Sequence, residues 1–505
     1  MSQNTQIAKN TLFLYIRMAL IMGVSLYTSR VILAALGETD FGIYSVVGGM
    51  ALMFAFFSSS LSNATQRFLN IAQGKGEKEE ASRVFALSQI SFFFLSLIVL
   101  LFAEVIGLWF IYNKLIIPVD RVDAALWVFH ATIISLFFTI NGIVFNSVLV
   151  ARENFRVYAY IGVFEAFSKL AIAAVLSWVD IDRLKLYASL YVAMTITVQI
   201  FYAIYCIYKY EECRVRLYWD KKMFVQLSSF IGWNTFGTAV WALNGQGLSM
   251  LMNTFFGVSV NAARGISSQV EQAVNNFNTG FITATKPQVI KLFASGDHRS
   301  LVKLTFDSSR LSFFLMLALS LPIIFQREFI LSIWLSYPPS MTASFVVWAL
   351  IFSLVNSLTN PLWNAMQAVG ELRRYTIVGG VVYSLVFPIS YVGLLCYPNP
   401  VLPLIILVLI RFIYVFVALT ILKGYIQLSI SDYILMVIKP ILYVVFFAGV
   451  GNYLLCTLYA PDGIVSLILF SCLNLSITLA CTYIFGLKVD ERIWIKKKIK
   501  SLICR

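Results

Sequence analysis

Arg264, Ser268, Glu271, Asn275 and Asn278 follow one another at steps of four, three, four and three residues. On an α-helix that spacing lines them along one face. The stretch that carries them, 258–290, is long enough to cross a bilayer as a helix. A second series, Asn356, Asn360, Asn364 and Gln367, repeats the pattern inside the apolar stretch 340–369, where Pro361 predicts a kink. Weaker sets are Ser58, Ser62 and Gln66, and Asn234, Thr238 and Gly245. In hydrocarbon such groups are costly unless they meet water, a polar ligand or each other. A dry bundle would use them for hydrogen bonds between helices. Five groups with two charges on one helix exceed what packing needs, so the series predicts a polar cavity.

The cations sharpen the chemistry. Arg30 lies seven residues before Gly37, and Arg264 seven residues after Gly257. Two guanidiniums facing one cavity form an anion clamp, because arginine stays charged and its planar fork matches phosphate oxygens. The bland alternative is that each pairs locally or snorkels. Arg17 is a weaker member of the same set. Glu271 is available for proton or sodium coupling, although pairing with Arg264 on the same stripe competes with that role. Glu165 and Lys169, spaced i, i+4, read as a self-neutralising pair. Arg411 and Lys439 read as lone cations snorkelling from inner helix ends, and His130 as a packing residue. No phosphate-binding G-x-x-x-x-G-K-[ST] motif, dinucleotide fingerprint or metal-ligand cluster is present, so no cofactor, metal or catalytic role is expected.

The elements that must position these side chains follow from composition. Of 505 residues, 60% are hydrophobic and only 12% charged, and the mean hydropathy is +0.83. Soluble domains carry roughly 25% charge. At about 20 apolar residues per crossing, the chain holds on the order of fourteen spans. They fall near 12–36, 41–66, 84–111, 122–150, 156–178, 186–208, 224–250, 258–290, 303–326, 340–369, 375–397, 400–422, 434–458 and 463–487, numbered here as spans 1 to 14. The expected fold is therefore an all-α integral membrane protein. A soluble enzyme and an outer-membrane barrel are excluded. The cysteines, Cys206, Cys213, Cys396, Cys456, Cys472, Cys481 and Cys504, show no metal or disulfide spacing.

The net charge of +14 sits mostly in the connections, which argues for topology rather than nucleic acid. With the N-terminus inside, about 26 lysines and arginines lie on inner segments against about five on outer ones. Both termini are then cytoplasmic. The run from Lys488 to Arg505, basic with interleaved Ile, Trp and Leu, reads as an anchor on anionic lipid.

An internal repeat is legible at an offset near 220 residues. Gly37 matches Gly257, Asn63-Ala-Thr65 matches Thr283-Ala-Thr285, Ala72-Gln-Gly74 matches Ala294-Ser-Gly296, and Glu153 through Arg156 with Gly162 matches Glu371 through Arg374 with Gly380. Six spans per repeat give both halves the same topology, related by an axis along the membrane normal. The expected organisation is an N-lobe over 1–210, a C-lobe over 211–425, two extra spans over 426–488 and a basic tail over 489–505.

Ser29-Arg30-Val-Ile-Leu-Ala-Ala-Leu-Gly37, followed by Asp40-Phe-Gly42-Ile-Tyr44, together with the repeated lobes and fourteen spans, resembles the Wzx-type polysaccharide flippases. These form a branch of the multidrug/oligosaccharidyl-lipid/polysaccharide (MOP) exporter superfamily. The resemblance implies alternating access, and an undecaprenyl-diphosphate-linked oligosaccharide as cargo, for O-antigen, capsule or exopolysaccharide. It implies a bacterial inner-membrane location, contact with membrane lipids, and glycan polymerases or glycosyltransferases as candidate partners of a monomer. Related lipid II flippases place cavity arginines on the first and eighth helices, as Arg30 and Arg264 are placed here. Trp241 and Trp363 are candidate platforms for sugar faces. The rival is the cation-coupled drug-antiporter branch. Its members commonly carry an early carboxylate, and spans 1 and 2 hold no Asp or Glu. An integral-membrane glycosyltransferase or polymerase would need a long catalytic loop, and the outer connections are short.

Overall fold

The structure is a computed structural model of the chain. The structure describes residues 3–52, 61–62, 64–66, 68–69, 72, 78–152, 154–179, 181–214, 218–335, 337–370, 372–459, 461–493 and 496. Helices occupy the expected spans. Gln3–Leu52 contains span 1 and the start of span 2. Spans 3 to 6 are Lys78–Asn113, Val122–Ala151, Phe155–Val175 and Arg183–Lys209. Spans 7 to 10 are Lys221–Phe256, Val258–Ala294, His298–Phe325 and Thr342–Val369. Span 11 is the pair Leu372–Ser384 and Val386–Cys396, span 12 is Leu402–Ile426, and spans 13 and 14 run over Ile430–Leu458 and Ile464–Gly486.

Eleven helical stretches among the described residues are long and apolar enough to cross a bilayer. Their outer surfaces agree. Leu101 is 63% exposed in span 3, Phe446 62% in span 13 and Ile468 57% in span 14. Contiguous exposed apolar surface of this kind has lipid as its solvent, and a helix satisfies its own backbone there. The chain is a multi-pass, all-α membrane protein.

Local breaks have local causes. The long first helix is interrupted at Gly37, with φ 75° and ψ 172°, and spans 7 and 8 are separated by Gly257 at φ 80°. A side chain at such positive φ is strained, so both positions favour glycine. The two glycines matched by the sequence repeat thus share a left-handed φ. Pro388 has no N–H to give the carbonyl of Ser384, and span 11 is broken at Leu385 just before it. The π-helical turn Ile434–Ile438 precedes Lys439-Pro440, where the same missing donor disturbs the ladder. Pro361 lies inside a continuous helix.

The chain forms two compact units, Met1–Gly265 with Trp334–Ser340, and Ile266–Ile333 with Met341–Arg505. In the first, Ile43, Val47, Ala125, Val128, Phe129 and Leu184 form part of a buried apolar centre. One end of this unit is pinned by Arg121, which bonds both Asp40 and Asp182. The turn at Gly257 is held by Asn253, which accepts from the Ile116 amide at 2.8 Å and donates to Asn261 at 2.9 Å. In the second unit, spans 9, 10 and 12 pack together, and Arg310 of span 9 is 1% exposed. Its guanidinium donates to Glu491 at 2.5 Å and to Asp307 at 3.3 Å, while Lys488 reaches Asp307 at 2.7 Å. The start of the basic tail is therefore docked on span 9. Lys488 meets a fixed carboxylate, and Glu491 supplies the charge that a buried Arg310 requires; most of the basic run beyond 493 lies outside the described residues.

Candidate functional site

In the first unit, Arg30 lines a pocket of about 280 Å³ with Val31, Ala34, Ala35, Ser177 and Arg183. Span 1 reaches the pocket just before the Gly37 break, where the terminal carbonyls of its helix lack partners within the helix. Arg183 donates from Nη1 to one of them, the carbonyl of Ala35, at 3.1 Å. Its position is fixed from behind by Asp182, the helix N-cap, whose carboxylate accepts from the amides of Leu184 and Lys185. Burial would raise the carboxyl of Asp182, but hydrogen bonds from Arg121 and those two amides outweigh it and leave the group below the usual carboxylate range. The pocket is thus lined by two guanidiniums, the Ser177 hydroxyl and the apolar side chains of Val31, Ala34 and Ala35. Two cations in one small pocket attract anions.

Arg264 is also in the first unit and is 9% exposed. The adjoining Gly265 is packed closely enough that a Cβ would approach Ser45 Oγ to 2.8 Å. Ser259, in the same helix, donates to Glu38, and Asp40 is held by Arg121. Arg17 and Asn234 lie in helices whose side chains there fall outside the described residues, as do Ser58, Thr238 and Trp241.

The remaining stripe residues belong to the second unit. Asn275 donates to Ser353 Oγ at 3.0 Å, and Asn364 donates to the carbonyl of Ile282 at 3.2 Å, tying spans 8 and 10 together. Asn278 is 1% exposed, and among the described residues neither of its amide atoms has a hydrogen-bond partner. Ser268, Glu271, Asn360 and Gln367 are partly exposed. Asn356 accepts from Arg411, which also donates to Thr359 at 2.7 Å. The structure therefore joins spans 8 and 10 through parts of both stripes, and places Arg30 and Arg264 in the other unit.

Three cations carry more structure than their sequence context suggested. Arg183, at the start of span 6, lines the Arg30 pocket. Arg310 had drawn no attention inside span 9. Arg411, expected to snorkel from an inner helix end, is the tenth of 25 residues in its helix. Snorkelling fails there because neither end is within reach, and polar groups of span 10 hold the guanidinium instead. Arg310 is legible in the sequence as a basic residue inside predicted span 9. The expected Glu165–Lys169 pair is present at 2.7 Å, and His130 meets Glu104 at 3.0 Å.

No protein-family model matches the sequence, and no curated protein matches it either. Solved structures do. The lipid II flippase MurJ in an inward closed conformation superposes with a TM-score of 0.71 at 14% identity, over 94% of this chain and 99% of that one. The chain has the MOP-superfamily fold. An inward-facing multidrug resistance MATE family transporter of that superfamily gives 0.62 at 13% identity, covering 81% and 94% of the two chains. A MOP superfamily transporter from Pyrococcus furiosus, described as having a binding pocket of reverse polarity, gives 0.59 at 15% identity over 84% and 96%.

Proposed function

We propose that the protein is a flippase that carries an undecaprenyl-diphosphate-linked oligosaccharide across the bacterial inner membrane by alternating access, with both termini in the cytoplasm. The observation that carries this reading is the paired guanidinium lining of the Arg30–Arg183 pocket, in the same unit as the buried Arg264 and within a MOP fold. A diphosphate offers several oxygens and a fixed negative charge, and each charge-assisted hydrogen bond contributes about 1.5–3 kcal/mol. Arg30 and Arg264 hold the diphosphate, with Arg17 as a further cation. The partly exposed Ser268, Asn360 and Gln367, with Asn234, meet the sugars, while Asn275, Asn278, Asn356 and Asn364 of the same stripes lie in the helix packing. The working organisation remains two six-span lobes, 1–210 and 211–425, followed by the two extra spans over 426–488. The protein acts as a monomer beside glycan polymerases or glycosyltransferases.

The decisive experiment is surface-glycan export in cells lacking the native protein. Arg264→Ala is expected to abolish export while the protein still inserts, and normal export by an Arg30→Ala, Arg264→Ala double variant would refute the clamp. The alternative is an ion-coupled multidrug or cation antiporter. It predicts export of organic cations that depends on Glu271, tested with Glu271→Gln.

A further inference from the structure

Arg411 stands near the middle of span 12 with its guanidinium turned into the second unit. Its Nη2 is taken by Asn356 and Thr359 of span 10. Its charge also lies over two rings, 5.6 Å from the centroid of Tyr383 and 5.2 Å from that of Tyr414. Tyr414 in turn packs edge-on against Tyr375 at 5.8 Å, and Tyr375 against Trp363 at 5.5 Å. Among the described residues no carboxylate forms an ion pair with Arg411, and its Nε is buried without a hydrogen-bond partner.

The neighbours are dipoles and ring faces. Asn356 and Thr359 supply partial charge and the tyrosines supply π density, so the site keeps a full positive charge. Arginine does not deprotonate to escape this. A full charge in the middle of a membrane helix is costly unless it faces a counter-charge or water. Lipid-facing residues of the same helix, Leu409 and Ile413, are more than half exposed, whereas Arg411 points the other way. Asn360, one turn beyond Asn356 on span 10, is partly exposed beside it. We propose that Arg411, Asn356 and Thr359, framed by Tyr383 and Tyr414, form an oxyanion-binding site within the second unit, and that it takes a phosphate group. The N–H groups that Asn356 and Thr359 leave free are directional donors, which suit oxygen acceptors better than a spherical ion. The phosphate belongs either to a lipid headgroup or to a soluble molecule. The assignment does not depend on the cargo proposed above, because it is read as binding and not as transport.

The test uses the full chain in nanodiscs of phosphatidylcholine. Thermal unfolding is followed by tryptophan fluorescence while sodium phosphate replaces sodium chloride at constant ionic strength. In the wild type the midpoint is expected to rise saturably with phosphate. Arg411→Met removes the charge without leaving a buried one and should remove the Arg411 part of the response, leaving only what the Arg30–Arg183 pocket contributes. Arg411→Lys should weaken apparent affinity at least tenfold, since a point charge replaces the fork. Asn356→Ala keeps the charge and should weaken the response without removing it, so the test survives if the Met variant does not fold. In discs containing phosphatidylglycerol, a midpoint already raised relative to Arg411→Met, with a blunted phosphate response, identifies a headgroup as the occupant. An unchanged phosphate response in those discs identifies a soluble one. Equal behaviour of wild type and Arg411→Met in both kinds of disc overturns the site.

Discussion

Arg310 offers the sharpest test of how charge is managed in this fold. Its side chain is 2% exposed, and its charge is met by Glu491 and, more distantly, by Asp307, which Lys488 also claims. Removing one partner of a buried ion pair costs about 3–5 kcal/mol, because the other charge stays buried and uncompensated. Here Asp307 remains and Glu491 is 25% exposed, so Glu491→Ala should cost about 2 kcal/mol, a roughly thirtyfold loss in the folded-to-unfolded ratio. Arg310→Met removes the buried charge itself and leaves Asp307 with Lys488, so it should fall within about 1 kcal/mol of wild type. The Arg310→Met, Glu491→Ala double variant should then recover most of the loss. Unfolding in mixed micelles titrated with a denaturing detergent measures all four proteins. If Arg310→Met is the more damaging single change, or the double variant is no better than Glu491→Ala, the desolvation reasoning is wrong.

Two further outcomes follow from geometry. Gly42→Ala would place a Cβ 2.1 Å from the Val258 carbonyl oxygen; it should destabilise by about 1–3 kcal/mol in the same assay, whereas Gly245→Ala, with nothing within 4 Å, should be neutral or mildly stabilising. Asp182 has its folded pKa lowered, so its contribution is present above the unfolded carboxylate value of about 3.9 and is lost as pH falls through the folded value; Asp182→Asn should therefore be less stable than wild type at neutral pH, with the difference closing below about pH 4 in a stability-versus-pH series.

Helical class and span count were legible because membrane helices obey one strong rule: their side chains must suit lipid over a fixed length. The Gly37 and Gly257 breaks were legible for a related reason, since few other residues tolerate that backbone. What the sequence hid was which cation meets which partner. Arg183 and Ala35 are 148 positions apart, Arg310 and Glu491 181 apart, and Arg411 and Asn356 55 apart. No local period connects such pairs, because they meet only after helices pack. The residues of the span 8 series lie on a helix, but the division between a packed Asn275–Ser353 contact and an Asn278 with no partner among the described residues is a tertiary fact.

That division bears on what the membrane-embedded polar groups are for. Where an amide or guanidinium has a protein partner at full hydrogen-bonding distance, as Asn364 does with Ile282 and Arg310 does with Glu491, the bond offsets desolvation and the residue joins helices. Where it does not, as at Asn278 and at the Nε of Arg411, packing gives no account of it, since an apolar side chain of the same size would be cheaper to bury. The cations follow the same split. Arg121, Arg152 and Arg310 each meet a carboxylate, so they are charge-balanced within the fold. Among the described residues Arg411 meets Asn356, Thr359 and tyrosine rings and no carboxylate. A fold that balances cations with carboxylates at one set of positions and with dipoles at another has kept net positive charge in a particular place. An anion arriving from outside the chain is the balance that the second set lacks.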